Sequence, residues 1–431
     1  MNSNFDAIVI GSGVIGTSVA FELAKSGKSV CVVDKSSAPG AGSTSASAAI
    51  VRFTYSTYES IALSWEAYHC WLNWQEHIGA PDKTGLVEFV QCGAGMANVP
   101  VMQTERTAKF FDEIGIDYEL LEGHELDRIW PGIDSGKYWP PKRIEDPQFW
   151  DDTTEQITAI YTPQGGYISD PMQTAVNLAD AAKRHGAVFK QNTKVIEILK
   201  EKGRILGIRT DKDEVILASV LVNVAGPWSP EVNKMAGAGS DFTITNRALR
   251  QEVHHVNWAK PTKPKPVFGD IDLGVYHRSD GANGLYIGGT EPECDAMHWV
   301  DDVDAAKMTP TMEIFEAQVT RAARRFPDLQ VPNSASGIVG IYDASSDWAP
   351  IYDKSDVPGF YVAIGTSGNQ FKNAPVVGRI MIEIINANES GDDTDANPIQ
   401  FVGEHTGLSI NTAIFSRKRQ KNPNSSGTVM G

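Results

Sequence analysis

Six residues near the start, Gly11-Ser12-Gly13-Val14-Ile15-Gly16, have the types and spacing to seat a pyrophosphate. Gly11 permits a tight turn, Gly13 lets backbone approach the phosphates, and Gly16 lets a helix pack closely on a strand. Val14 and Ile15 open that helix, whose free N–H groups and partial positive charge suit an anion. Asp34, followed by Lys35, stands where a carboxylate can accept from ribose hydroxyls.

A glycine motif needs the right elements around it. Ala7-Ile8-Val9-Ile10 is a short apolar run of the kind that makes a buried parallel strand. The spacing of Ile15, Val19, Leu23 and Ala24 predicts one apolar helical face, and Gly27 suits the helix stop. Ser29-Val30-Cys31-Val32-Val33 reads as the second buried strand. Strand, glycines, helix, strand and acid in this order form a dinucleotide-binding unit rather than a mere packing turn.

Three features favour FAD over NAD. The motif lies at the extreme N-terminus. A run of small residues, Gly40 to Ser47, follows the acid with hydroxyls for the pyrophosphate. A second glycine turn after the strand Gly359–Gly365 opens a helix over 375–387, with Pro375 near its first turn. The positive end of such a helix stabilises charge on a reduced flavin. An NAD(P)-dependent Rossmann dehydrogenase is the alternative.

The sequence resembles the D-amino-acid oxidase superfamily of FAD amine oxidoreductases, in the pattern of sarcosine oxidase, from about Asp6 to about Glu383. The pieces that carry the resemblance are Gly11 to Gly16 with Asp34, Gly42-Ser43-Thr44-Ser45, Arg52-Phe53-Thr54-Tyr55, Arg250-Gln251, Tyr342 to Asp347, and Gly365 to Lys372. It implies that Arg52 and Lys372 hold a substrate carboxylate, and that Tyr55 and Tyr342 line the substrate side of the flavin. A planar guanidinium suits bidentate geometry, and an ammonium adds a point charge. It places Tyr286 where the family carries a lysine and Thr290 where it carries a histidine. The residues expected around the cofactor are Gly11, Gly13, Val14, Ile15, Gly16, Asp34, Lys35, Gly42, Ser43, Thr44, Val195, Ala225, Gly226, Trp228, Gly340, Gly368, Asn369, Gln370, Phe371 and Lys372. Gly340 stands where sarcosine oxidases bond the flavin through cysteine, and Ser47-Ala48-Ala49 stands where dimethylglycine-type enzymes use histidine. Non-covalent FAD is therefore expected.

The implied fold is α/β: a Rossmann-like FAD domain of the glutathione-reductase type with an interleaved antiparallel-sheet substrate domain. The FAD domain is expected over 1–85, 150–232 and 335–395, the substrate domain over 86–149 and 233–334, and a C-terminal tail over 396–431. Helices are read over 56–78, 173–186 and 311–325. A meander of strands runs from Thr193 to Val224, turning at Glu201-Lys202-Gly203-Arg204 and at Asp211 to Glu214. Residues 80–150 give no firm assignment. The implied reaction is hydride transfer from a carbon beside nitrogen to the flavin, followed by hydrolysis of the imine. Electrons then pass to oxygen or to a carrier.

Composition narrows the partners. The chain has 431 residues, 41% of them hydrophobic, and a formal charge of −16. An acidic surface disfavours nucleic acid and anionic membranes. The four cysteines make no CxxC pair, and MNSNFDAIVIG has no basic leader. A cytoplasmic enzyme on a small amine or amino acid is expected. His254-His255 lacks neighbours at ligand spacing, so no metal is expected. A flavin-binding subunit of a larger complex, docking through the basic-tipped tail, is a further alternative. Oligomeric state is left open.

Overall fold

The computed structural model describes residues 3–260 and 263–431. The apolar runs become the centre of a six-stranded sheet in the order Val188–Lys190, Val30–Val33, Ala7–Ile10, Val220–Asn223, Phe360–Ile364 and Ile351–Lys354. All its pairings are parallel except the last. Ala7–Ile10, Val30–Val33, Val220–Asn223 and Phe360–Ile364 are buried throughout, which is why they lack polar alternation. Helix Val14–Lys25 packs against helices Pro171–Arg184 and Ala374–Glu389. Gly378 makes the second contact possible, because a Cβ there would stand 2.4 Å from the Ser18 carbonyl oxygen.

The expected meander divides: Val220–Asn223 joins the central sheet, while Val195–Glu201, Arg204–Thr210 and Val215–Leu217 form a separate four-stranded sheet with Ser3–Asn4. Its hairpin turns at Lys202 and Gly203, both at positive φ (52° and 85°), as a tight antiparallel turn requires.

A nine-stranded sheet stands over the carboxyl ends of the first sheet. Its long strands are Asn246–Asn257 and Gly337–Ser345, paired antiparallel from Asn246 with Ser345 to His254 with Gly337. Helix Met312–Arg325 backs this sheet through Phe315, Val319 and Ala322. Two strands expected with the FAD unit, Thr158–Thr162 and Gly337–Ser345, pair in this sheet instead. One of its pairings, Val267–Asp270 with Ala94–Ala97, is parallel. Strand partners are set by long-range registry, which composition around 150 and 335 does not report.

The C-terminal region is not a free arm. Arg417 is buried and bonds Asp241, Asp353 and Asp395. Arg419 bonds Asp347 at 2.8 Å. These side chains turn inward, which removes the basis for reading the tail as a basic docking arm. Among the described residues, no helix is long and apolar enough to cross a membrane.

Candidate active site

A large cavity lies where the strands Ala7–Ile10, Val30–Val33, Val220–Asn223 and Phe360–Ile364 end, under the nine-stranded sheet. Open α/β sheets bind ligands at this place. The glycine turn lines it, and two of its glycines, Gly11 and Gly16, are obligatory. A Cβ on Gly11 would stand 2.5 Å from the Val224 carbonyl oxygen, and one on Gly16 would stand 2.1 Å from that of Gly11. Gly11 also has φ 114°, a region that glycine occupies freely. The N-terminus of helix Val14–Lys25 points into the cavity, where Val14 N–H donates to Thr44 Oγ1 at 3.0 Å.

Asp34 is held at the strand end. Its Oδ2 accepts from Ser12 N–H (2.6 Å) and Ser12 Oγ (2.9 Å), and its Oδ1 accepts from Ser36 N–H (2.7 Å). Lys35 closes this end of the cavity. It bonds Asp304 and lies 3.9 Å from the Trp228 ring centre, while Trp228 Nε1 donates to Asp304 at 3.0 Å.

At the other end, Gly340 and Tyr342 on one strand face the turn Gly365–Gln370. Ser43 Oγ donates to the Ile341 carbonyl at 2.6 Å, tying the small-residue segment to that strand. Gly368 (φ 69°) lies against the Tyr342 ring, and a Cβ there would come within 2.3 Å of Cζ. Asp343 orders the turn by accepting from Gly365 N–H at 2.5 Å, and burial pushes its carboxyl up to about 7. Residues Phe371–Asn373 form a 3-10 turn leading into helix Ala374–Glu389, whose positive end faces the cavity.

Two buried cations share the inner end. Arg52 is 7% exposed and Lys372 is 4% exposed. Arg52 Nη2 donates to the carbonyls of Val429 (3.0 Å) and Met430 (2.9 Å), and Nη1 donates to that of Thr54. Lys372 Nζ donates to the Tyr55 hydroxyl (2.9 Å) and the Asn369 carbonyl (2.7 Å). Among the described residues, neither cation has a carboxylate partner. Burial and the neighbouring Arg52 accordingly hold the Lys372 ammonium well below its usual range. Burial also lowers Arg52.

Every residue expected around the cofactor lines this cavity, as do Arg52, Tyr342 and Lys372. Tyr55 sits behind the two cations, 4.7 Å and 5.1 Å from ring centre to Arg52 Cζ and Lys372 Nζ, and borders a smaller adjoining cavity. Tyr286 does not line the cavity. Its ring packs on His255 and Arg278, one pleat along the same sheet face. Tyr276 takes the place expected for it. Opposite Gly288, which leaves room for the ring, Tyr276 lines the cavity beside Tyr342. Burial pushes Tyr276 up to about 12. Thr290 is buried nearby but outside the lining. Sequence reasoning also missed Val429, Met430 and Glu291. Glu291 Oε2 accepts from Val429 N–H at 2.7 Å, and burial pushes its carboxyl up to about 8.

The family described as DAO, FAD dependent oxidoreductase, matches residues 6–384. The chain is similar to 4-methylaminobutanoate oxidase (formaldehyde-forming) of Paenarthrobacter nicotinovorans, 23% identical over 412 residues. That likeness covers 92% of this chain but 46% of the relative, so the chain spans under half its length. Sarcosine oxidase subunit beta of Arthrobacter sp is 22% identical over 395 residues, covering 90% of this chain and 88% of that one. Among solved structures, L-proline dehydrogenase from P. horikoshii shares the fold, with a TM-score of 0.75 at 21% identity over 97% of this chain and 98% of that one.

Proposed function

Because the chain belongs to the DAO family of FAD dependent oxidoreductases, matched over residues 6–384, we propose that it oxidises a small carboxylate-bearing amine or N-substituted amino acid with non-covalent FAD. Family membership sets aside the NAD(P)-dependent dehydrogenase. The observation that carries the substrate class is the pair of buried cations without a carboxylate partner. A buried charge is costly unless paired, so Arg52 and Lys372 are built to receive an anion.

The residues present suit FAD. Gly11 and Gly16 admit no side chain, so backbone can meet a pyrophosphate, and Asp34, held by Ser12, would accept from the ribose hydroxyls. Gly340 offers no nucleophile for a covalent bond. Bound FAD supplies a two-electron acceptor for hydride from a carbon beside nitrogen. The chain's part is positioning. Arg52 and Lys372 anchor the carboxylate, while Tyr276 and Tyr342 wall the cavity and limit water. The amine gives up a hydride and a proton, and water hydrolyses the imine to a carbonyl and a smaller amine. Electrons leave to oxygen or to a carrier. Similar relatives named as oxidases of methylated amino acids support secondary or N-methyl amino acids as substrates.

Four unpaired cysteines support a cytoplasmic setting. Likeness to a protein named as an oxidase subunit favours a second reading, in which this chain works within a complex. A monodisperse, active single chain would remove it. The main test is an anaerobic screen that follows loss of the oxidised flavin band. N-methyl and cyclic amino acids should bleach it. Decarboxylated analogues that bleach it equally fast would refute the carboxylate reading.

A further inference from the structure

The buried guanidinium of Arg52 is met by residues 429 and 430 of the same chain. Val429 and Met430 line the cavity, at 6% and 3% exposure. Their two carbonyl oxygens lie 3.0 and 2.9 Å from one nitrogen, Nη2, where carboxylate oxygens would otherwise sit. The Met430 side chain packs with that of Met96 over Gly269, its Cε 3.2 Å from where a Cβ on that glycine would stand. Gly431 lies against the Tyr55 ring.

We propose that residues 422–431 form a strap that occupies the carboxylate end of the substrate cavity and must withdraw before an amino-acid substrate seats there. The proposal rests on the reading that Arg52 and Lys372 receive a carboxylate.

The strap's fastenings are uneven. Just before it, Arg417 and Arg419 hold the chain through bonds to four aspartates. Among the described residues, no tie beyond Lys421 joins a cation to a carboxylate. Apart from the bonds of Arg52, Arg106 Nη2 donates to the Asn424 carbonyl at 3.3 Å, and the other ties are between neutral groups or to a carboxyl that burial favours in its uncharged form. Asn422 Nδ2 donates to Ser56 Oγ (2.8 Å), Ser425 Oγ to the Asp347 carbonyl (3.0 Å), and Val429 N–H to Glu291 (2.7 Å). Other bonds close the strap on itself, such as Gly431 N–H to the Thr428 carbonyl at 3.0 Å. Ser425-Ser426-Gly427 gives the segment a flexible composition. The contest at Arg52 is therefore between neutral carbonyl dipoles and a full negative charge. Arg52 donates charge-assisted bonds in either case, and only a carboxylate adds the attraction of an opposite charge in a low-dielectric site. A substrate carboxylate also brings the counter-charge that both cations lack, and the released strap regains water.

The test compares the FAD-loaded full chain with a chain ending at Lys421 and with a full-length Val429→Gly/Met430→Gly variant. The probes are acetate and pyrrole-2-carboxylate, read by the shift of the bound-flavin spectrum. The dissociation constant should fall at least tenfold in the shortened chain and by a smaller factor in the double variant. Trypsin cleavage after Lys421 in the full chain, read by mass, should speed up when acetate saturates. If the shortened chain does not fold, the double variant and the trypsin rate decide. Equal or weaker carboxylate binding with FAD content intact, or a trypsin rate that acetate leaves unchanged, would overturn the strap and make residues 422–431 a fixed wall. A spectrum that no carboxylate shifts in any form would instead overturn the carboxylate reading of Arg52, and the strap with it.

Discussion

Arg52→Met removes the guanidinium and keeps an apolar stem of similar length. In the folded chain the charge is 7% exposed and its donors go to neutral oxygens of Thr54, Val429 and Met430. Losing it relieves the desolvation of an unpaired ion, an effective penalty of several kcal/mol. It also bares carbonyl oxygens at about 1–3 kcal/mol each. The two effects oppose, so fold stability should move little. Substrate binding is offset only in part. Two charge-assisted bonds to a carboxylate contribute about 1.5–3 kcal/mol each. Returning the guanidinium to Val429 and Met430 in the free state restores bonds whose donor is equally charged, so the bond terms largely cancel. The difference is the carboxylate's own charge, about 1–4 kcal/mol at ~4 Å between a watery and a protein-like dielectric. The remaining 1–4 kcal/mol corresponds to a dissociation constant raised roughly 5- to 1000-fold. Arg52→Lys keeps the charge without the fork and should recover only part of this. The assay is titration with acetate and with the best amino acid from the screen, read by the flavin spectrum, with urea unfolding as the control. Acetate binding within threefold of wild type, in a folded chain with full FAD, would refute the assignment of Arg52 to the carboxylate.

Lys372 is pushed well below its usual range by burial and by Arg52, so an arriving carboxylate should raise it again. Acetate binding should then take up a proton and weaken as pH rises past the free value of Lys372; calorimetry in buffers of different ionisation enthalpy showing no proton uptake contradicts this. Glu291, raised from 4.5 to about 8, keeps a proton in the folded chain that the unfolded chain loses between those values. Its contribution to stability is whole below 4.5 and is lost as pH climbs through 8, so wild type should lose stability relative to Glu291→Gln between pH 5 and about 9; parallel melting curves would count against it. Gly16→Ala would set a Cβ 2.1 Å from the Gly11 carbonyl oxygen and should abolish FAD retention on a desalting column. Full flavin content in that variant would mean the turn does not carry the cofactor.

The parts of the site legible in the sequence are those fixed by local backbone demands. Gly11 and Gly16 announce themselves because only glycine fits there, and Asp34 because it ends an uninterrupted apolar strand. The cavity wall was less legible. Tyr276 and Tyr286 lie on neighbouring strands, on the same face, and only the pairing of Tyr276 with Gly288 says which ring reaches the cavity. The strap left no local signal at all. Its residues are small or polar, its hold on Arg52 joins positions 377 and 378 apart in the chain, and nothing periodic marks such a contact. Strands Thr158–Thr162 and Gly337–Ser345 were misplaced for the same reason, since their partners are chosen by distant registry.

The central sheet also fixes when this protein can become functional during its own synthesis. Ala7–Ile10 pairs first with Val30–Val33, but its other edge waits for Val220–Asn223, which in turn waits for Phe360–Ile364. At about 5–20 residues per second, the earliest strand keeps an open apolar edge for on the order of ten seconds or more. The glycine turn emerges at once, yet its counterpart at Gly365–Lys372 is made near the end. A nascent chain therefore exposes a sheet edge that invites wrong pairing, and chaperone cover matters most in the interval before the fourth parallel strand arrives. Flavin captured at the finish binds only the closed form, and draws the folding equilibrium toward it by mass action.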